Sequence, residues 1–262
     1  RIHGPLNRIK TNMDLTETAT HGTAPTHFMY GLIDITTLAA ISSPHITVVS
    51  AWKGDKTAGD ITDTWKYGRI HGSRSKTGFA DLELSLGYYV INKDEKQLSL
   101  FASLTVPTGN SSDAQYLFEP IIGNDGHVEF GGGFDGYVML RKKEENKSID
   151  LHVYGSISHL FKNTARRSFD HTSHGKGSRY NLLKEFTSVT STAVVYNNII
   201  APGINVNSLK AKIDVAAQYD AALMFGYHDG GLSVSAGYEI WGRSKETHQS
   251  WVDDITANKY GF

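Results

Sequence analysis

Between residues 212 and 241 the chain is apolar at every second position, over a length that few folds can use. Ile213, Val215, Ala217, Tyr219, Ala221, Leu223 and Phe225 alternate with Lys212, Asp214, Ala216, Gln218, Asp220, Ala222 and Met224. A period of two belongs to a strand with one oily and one wet face. Strands of globular domains average about 5–6 residues, whereas a tilted strand crossing a bilayer needs about 9–11, and this run matches the longer figure. His228-Asp229-Gly230-Gly231 supplies a tight polar turn, after which Leu232, Val234, Ala236, Tyr238 and Ile240 alternate with Ser233, Ser235, Gly237 and Glu239. The pair reads as a β-hairpin.

The same unit recurs upstream. Leu82, Leu84, Leu86, Tyr88 and Val90 precede a turn at 92–97, and Leu98, Leu100, Ala102, Leu104 and Val106 follow it. Val128, Phe130, Gly132, Phe134, Gly136, Val138 and Leu140 precede a charged turn at 142–147, and Ile149, Leu151, Val153, Gly155, Ile157, His159 and Phe161 follow. The expected fold is all-β: an antiparallel up-and-down transmembrane β-barrel, one domain over 1–262, with about 8–12 strands at about 10 residues per crossing.

Composition bounds the alternatives. Twenty-six Gly, six Pro and 11% aromatic residues suit strands and turns rather than a helical bundle. Mean hydropathy is negative, but an alternating strand shows lipid only half of its side chains, so hydropathy does not separate the classes. No apolar run approaches the roughly 20 residues of a spanning helix. Absence of cysteine excludes disulfides and thiolate metal sites, and a net charge of −1 argues against a nucleic-acid partner.

Connections alternate in length. Those at 92–97, 142–147 and 228–231 are short, while 107–127 and 162–211 are long, the asymmetry of outer-membrane barrels with tight periplasmic turns and long outer loops. Strands starting near 79, 128 and 212 then run inward and those near 97, 148 and 232 run outward. This parity requires 162–211 to cross an even number of times or not at all; its β-prone Thr187–Tyr196 leaves open an extra hairpin or a loop folded into the lumen. Phe28–Ala40 and His45–Trp52 suggest a weaker hairpin, with Gly54–Gly78 as another outer loop. The start at Arg1-Ile2-His3 is expected of either a mature chain that has lost a leader or an interior fragment. Tyr260 and Phe262 resemble a terminal strand signal, yet Trp251-Val252-Asp253-Asp254 breaks the alternation, so further strands beyond 262 stay open.

If the apolar set faces lipid, rings should gather at the interfaces. Tyr88, Phe225 and Tyr227 fall near the short-turn end, and Phe130, Phe161 and Tyr238 towards the long-loop end. The opposite face would line a pore with Asp81, Glu83, Glu129, Asp135, Asp150, Asp214, Asp220 and Glu239, against Arg141 and Lys212. Fixed carboxylates concentrate cations, so a cation preference is expected, with Asp135 and Asp220 near mid-membrane. The competing arrangement is a two-sheet sandwich with the same rings inside, a secreted glycan binder using Trp52, Trp65 and Trp241.

Short motifs add little. Asp170-His171-Thr172-Ser173-His174 offers metal-ligand types but sits in a Gly/Ser-rich loop. Gly131-Gly132-Gly133-Phe134-Asp135-Gly136 and Gly175-Lys176-Gly177-Ser178 lack the strand–loop–helix setting of nucleotide sites. Ser156, Ser158 and His159 do not make a triad by spacing alone. No catalytic residue, metal site or cofactor is assigned, and the chain is expected not to be an enzyme.

Gly78-Phe79-Ala80-Asp81-Leu82-Glu83-Leu84-Ser85-Leu86-Gly87-Tyr88-Tyr89, followed by Leu100-Phe101-Ala102-Ser103-Leu104-Thr105-Val106-Pro107-Thr108-Gly109-Asn110, resembles bacterial outer-membrane barrels of the meta-pathway phenol-degradation transporter-like group, in which a G-x-x-D-x-x-L-x-x-x-Y strand precedes a strand ending in P-T-G. Elsewhere the chain has the general porin pattern. The resemblance implies a Gram-negative outer-membrane location, outer-membrane lipid as partner and passage of small solutes or ions, through either a passive channel or a transporter of hydrophobic and aromatic compounds. It transfers no binding residues. Porins commonly form homo-oligomers, and no self-complementary patch is visible here.

Overall fold

The computed structural model describes residues 1–16, 48–55, 63–144, 147–189, 193–254 and 258–262. Its strands are β1 (Ile2–His3), β2 (Leu6–Met13), β3 (Gly72–Phe79), β4 (Leu82–Lys93), β5 (Lys96–Val106), β6 (Glu129–Glu144), β7 (Lys147–Ser168), β8 (Leu182–Val189), β9 (Val194–Pro202), β10 (Ser208–Asp229), β11 (Leu232–Arg243), β12 (Glu246–Trp251) and β13 (Tyr260–Gly261). Two short helices, α1 (Val48–Lys53) and α2 (Gly203–Val206), and a 3-10 turn at Ser178–Tyr180 are the other regular elements among the described residues. Helix α1 takes the place of a strand over 48–52 of the expected His45–Trp52, while 45–47 and Phe28–Ala40 lie outside the described residues.

All strand ladders are antiparallel. The principal sheet runs β1-β4-β5-β6-β7-β10-β11, with β12 continuing β11 along the same side of β10. The expected hairpins are β4–β5, β6–β7 and β10–β11, each closed by a short turn. β7 pairs with β10 from Ser168↔Ser208 to Lys147↔Asp229, so the intervening segment places no strand between them. Its hairpin β8–β9 instead joins β13 in a separate three-stranded sheet. Among the described residues the principal sheet does not close into a barrel: β11 pairs only with β10, and β1 covers β4 only at Glu83 and Leu84.

Register carries the alternation across the sheet. Tyr88, Leu100, Phe134, Gly155, Ala221 and Ile240 form one transverse row of a single face, and Leu98, Gly136, Val153, Leu223 and Tyr238 another. This face is uncovered: Leu86 is 82% exposed, Tyr88 77% and Tyr238 72%. A sandwich would bury these positions between sheets. Along β5, Leu100, Ala102, Leu104 and Val106 are exposed while Phe101, Ser103 and Thr105 on the opposite face are half-buried, as curvature towards the polar side produces. Rings on both faces lie over glycines of the next strand: a Cβ at Gly155 would stand 2.7 Å from the Phe134 ring, and one at Gly133 2.8 Å from Phe101.

Two register shifts then reverse the faces. Between β7 and β10 the pairing moves from Gln218↔Ser158 to Val215↔Leu160 and on to Ile213↔Asn163, an extra residue first on β10 and then on β7. Each bulge turns its strand over by one side-chain step. Past the first of them Leu160, Ala165, Ala211, Ile213 and Val215 are buried on the polar-face side, while Lys162, Thr164, Lys210 and Lys212 are exposed on the other. Ala165, Ala211 and Ile213 form a small core against Phe169.

Candidate functional site: the acidic face of the principal sheet

The polar face below the bulges gathers Glu83, Glu129, Asp135, Asp150, Asp220 and Glu239, each brought to the same side by alternation and register. Asp135 stands opposite Ser99 and Tyr154, and Asp220 opposite Ser156 and Trp241. Glu129 accepts from Asn124 Nδ2 at 2.6 Å and from the Ser158 hydroxyl, neutral donors that leave its charge uncompensated. A cavity of about 190 Å³ opens on this face between Glu83, Glu129 and Asp220.

Towards the short-turn end, Asp150 is 2% exposed and lies between two imidazoles, His228 Nε2 at 2.8 Å and His152 Nε2 at 3.1 Å. Ser233 Oγ meets His228 Nδ1 at 2.9 Å. A buried carboxylate needs such partners. Asp150 is therefore held within a histidine pair rather than offered to solvent.

Four residues expected on the pore wall sit elsewhere. Asp81 is buried, and its carboxylate accepts the backbone N–H of Thr108 at 3.2 Å, Gly109 at 3.1 Å and Asn124 at 2.5 Å. With Thr108 Oγ1 donating to the Ala80 carbonyl at 2.7 Å, it latches the start of β4 to the Pro107-Thr108-Gly109 turn. Asp214 and Lys212 lie past the bulges on the outward face, where Asp214 accepts from Gln249 at 3.0 Å. Arg141 follows a bulge in β6 and pairs with Ile149 on the apolar side. Of the aromatic set, Tyr88, Phe130, Phe161 and Phe225 are exposed and Tyr227 is half-buried. Tyr238 pairs with Leu223 halfway along its hairpin rather than at the long-loop end.

The space on the polar-face side above the bulges is lined by loop 107–127 together with Arg166, Arg167, Ser168 and Arg179 of 162–211. Glu119 organises the loop by accepting from Ser112 Oγ and the N–H groups of Asp113, Ala114, Gln115 and Tyr116, at 2.9–3.3 Å. Asp125 fastens it to the sheet, accepting from Ser112 N at 2.6 Å through its side chain and from Asn163 Nδ2 at 2.6 Å through its carbonyl. Arg167 bridges Asp125 and Glu246. Burial opposes the Arg167 charge, but hydrogen bonds to Glu246 and Asp125 outweigh it and raise its pKa; the same guanidinium lowers that of Glu246. Asp170, joined to Arg179 through Oδ1 and Oδ2 at 2.8 Å each, is likewise held below the ordinary carboxylate range by that hydrogen bonding. A cavity of about 470 Å³ lies between the loop and β7, with Arg166, Arg167, Arg179 and Arg243 in its wall.

The motifs of the loops and strands stay apart. Asp170 is engaged by Arg179, His171 by Asn207 and His174 by the Phe262 ring, and no metal-holding group occurs among the described residues. Ser158 faces Glu129 on the polar side, whereas His159 pairs with Phe130 on the apolar side. Trp52 and Trp65 pack together with Tyr180, ring centroids 4.8–5.9 Å apart, while Trp241 lies on the polar face of the sheet. Sequence alone supplied the acidic wall but not the Arg167 bridge, the His228 contact to Asp150 or the exclusion of Asp81, because each depends on contacts across 27 or more residues.

No family model, curated protein or solved structure matches the chain.

Proposed function

We propose that the protein is a β-barrel channel of a Gram-negative outer membrane, passing small solutes by diffusion along an acidic wall with preference for cations. The observation that carries this reading is the change of polarity along single strands: apolar residues outside below the bulges, inside above them. Water on both sides would select apolar burial throughout. Leaving side chains such as Leu86 in water forfeits about 1.5–3 kcal/mol apiece relative to apolar surroundings, and monomers rarely leave so broad a patch uncovered. The lengths of β4, β5 and β11, 12, 11 and 12 residues, suit one tilted crossing. The open edges at β4 and β11 would need pairing, since no unsatisfied ladder survives in lipid.

The acidic wall supports the cation preference. A cation about 4 Å from a carboxylate in water gains about 1 kcal/mol, close to a fivefold enrichment, and screening shortens its reach to about 8 Å at physiological salt. Purified protein fused into planar bilayers under a KCl gradient should give conductance steps with a cation-selective reversal potential that shrinks at high salt. Asp135→Asn with Asp220→Asn should reduce it. A protein that is monomeric in buffer without detergent and silent in bilayers would remove the proposal.

A further inference from the structure

The cavity at Glu83, Glu129 and Asp220 carries more than charge. Phe101 and Tyr154 stack beside it, ring centroids 6.0 Å apart and planes at 13°, and Trp241, 61% exposed, stands opposite Asp220. The stacked pair depends on the space that Gly133 leaves under Phe101. Among the described residues no lysine or arginine lines this cavity. Asp220 Oδ1 is shut off from solvent without a hydrogen-bond partner. The neighbouring guanidinium, Arg243 opposite Gln218, belongs to the wall of the larger cavity above.

Carboxylates supply the Coulomb attraction and acceptors for N–H donors, and flat aromatic faces attract a cation through the ring quadrupole. A chloride or a carboxylate would meet only repulsion. A hydrated metal ion would gain nothing from the rings, whereas an organic cation uses both. At about 190 Å³ the space is below the roughly 300–1,000 Å³ of drug-sized pockets, which limits the occupant to about one ring and a short chain.

We infer that this cavity is a binding station for small organic ammonium compounds, primary amines carrying an aromatic or alkyl body, along the path through the barrel. The inference deepens the channel reading by naming its substrate class, and it rests on that reading only for the word path. The ammonium group is held by Asp220, Glu129 and Glu83, and its body lies against Trp241, Phe101 and Tyr154.

Isothermal titration of the detergent-solubilised protein with 2-phenylethylammonium, 2-phenylethanol and 3-phenylpropionate tests it. The ammonium should saturate one site, roughly tenfold tighter than the isosteric alcohol, with no heat from the carboxylate. Asp220→Asn and Trp241→Leu should each weaken it several-fold while the far-UV spectrum is unchanged, since Asn keeps the shape of Asp220 and Trp241 is largely exposed. Equal binding of alcohol and ammonium, no binding of either, or affinity unmoved by both variants would overturn the site. Bilayer conductance reads the channel separately: loss of ammonium binding with conductance intact removes the station alone, and binding in a protein that gives no conductance keeps the station without the channel.

Discussion

The two halves of β7 and β10 are built from similar residues to opposite ends. Below the bulges Ile157, Tyr219, Leu223 and Phe225 point outward and are exposed; above them Leu160, Ala165, Ile213 and Val215 point inward and are buried. The upper half obeys the ordinary rule of a protein in water, with Lys162, Lys210 and Lys212 outside. The lower half inverts it, the arrangement expected of strands whose outer face meets lipid, as the proposed function requires. On that proposal the bulges would mark the level at which the surroundings change.

The largest effect that separates the halves concerns packing. Leu160→Ala should lower unfolding stability by about 2–5 kcal/mol because it opens a cavity in a filled interior. Leu223→Ala, 42% exposed on the lower outer face, should cost under about 1 kcal/mol, since lipid or detergent replaces the lost methyls. Urea unfolding from lipid vesicles measures both; equal losses would erase the distinction. Next comes Ile240→Arg. In vesicles a guanidinium on the lipid face costs about 2–4 kcal/mol near the midplane, and an unchanged unfolding midpoint would place Ile240 in water.

A smaller effect belongs to the upper half alone. Glu246 has its pKa lowered by Arg167, so it favours the folded form above the ordinary glutamate range and loses that contribution as pH falls through its depressed value. Partial exposure holds the amount under about 1 kcal/mol. Glu246→Gln should therefore lower stability at neutral pH by up to about that amount and flatten the acid limb, the two proteins converging at pH values where Glu246 is protonated. Smallest of all, Lys212→Thr on the upper outer face should stay within about 0.5 kcal/mol.

Much of the principal sheet was legible in the residue pattern. The hairpins, their order, the short turns and most of the acidic wall follow from period two and turn chemistry. The inversion was hidden for a physical reason. Ile213, Val215, Ala217 and Tyr219 keep the same alternation through the bulge, because the face that becomes outer below and the face that becomes inner above both select apolar residues. Asp214 and Lys212 were accordingly assigned to the wrong side, and Arg141 likewise past the β6 bulge. Asp81 was visible as part of a strand motif, but its three amide donors come from a loop about the P-T-G turn, and a carboxylate so occupied reads in sequence like any solvated one. The β8–β9 hairpin was open between crossing and loop, since its strands carry no long dyad pattern.

The change of medium that the proposal places at the bulges can be tested directly, and the absence of cysteine makes the labelling clean. Single cysteines at Leu223 and Tyr238 below the bulges, and at Lys212 and Thr247 above them, would carry nitroxide labels in protein reconstituted into vesicles, with oxygen and a nickel chelate as lipid- and water-phase relaxants. The expected result is oxygen-dominated relaxation at the lower pair and chelate-dominated relaxation at the upper pair. Chelate-dominated relaxation at all four sites would mean that the oily face stands in water, and the account of the strands as crossing a membrane would be wrong.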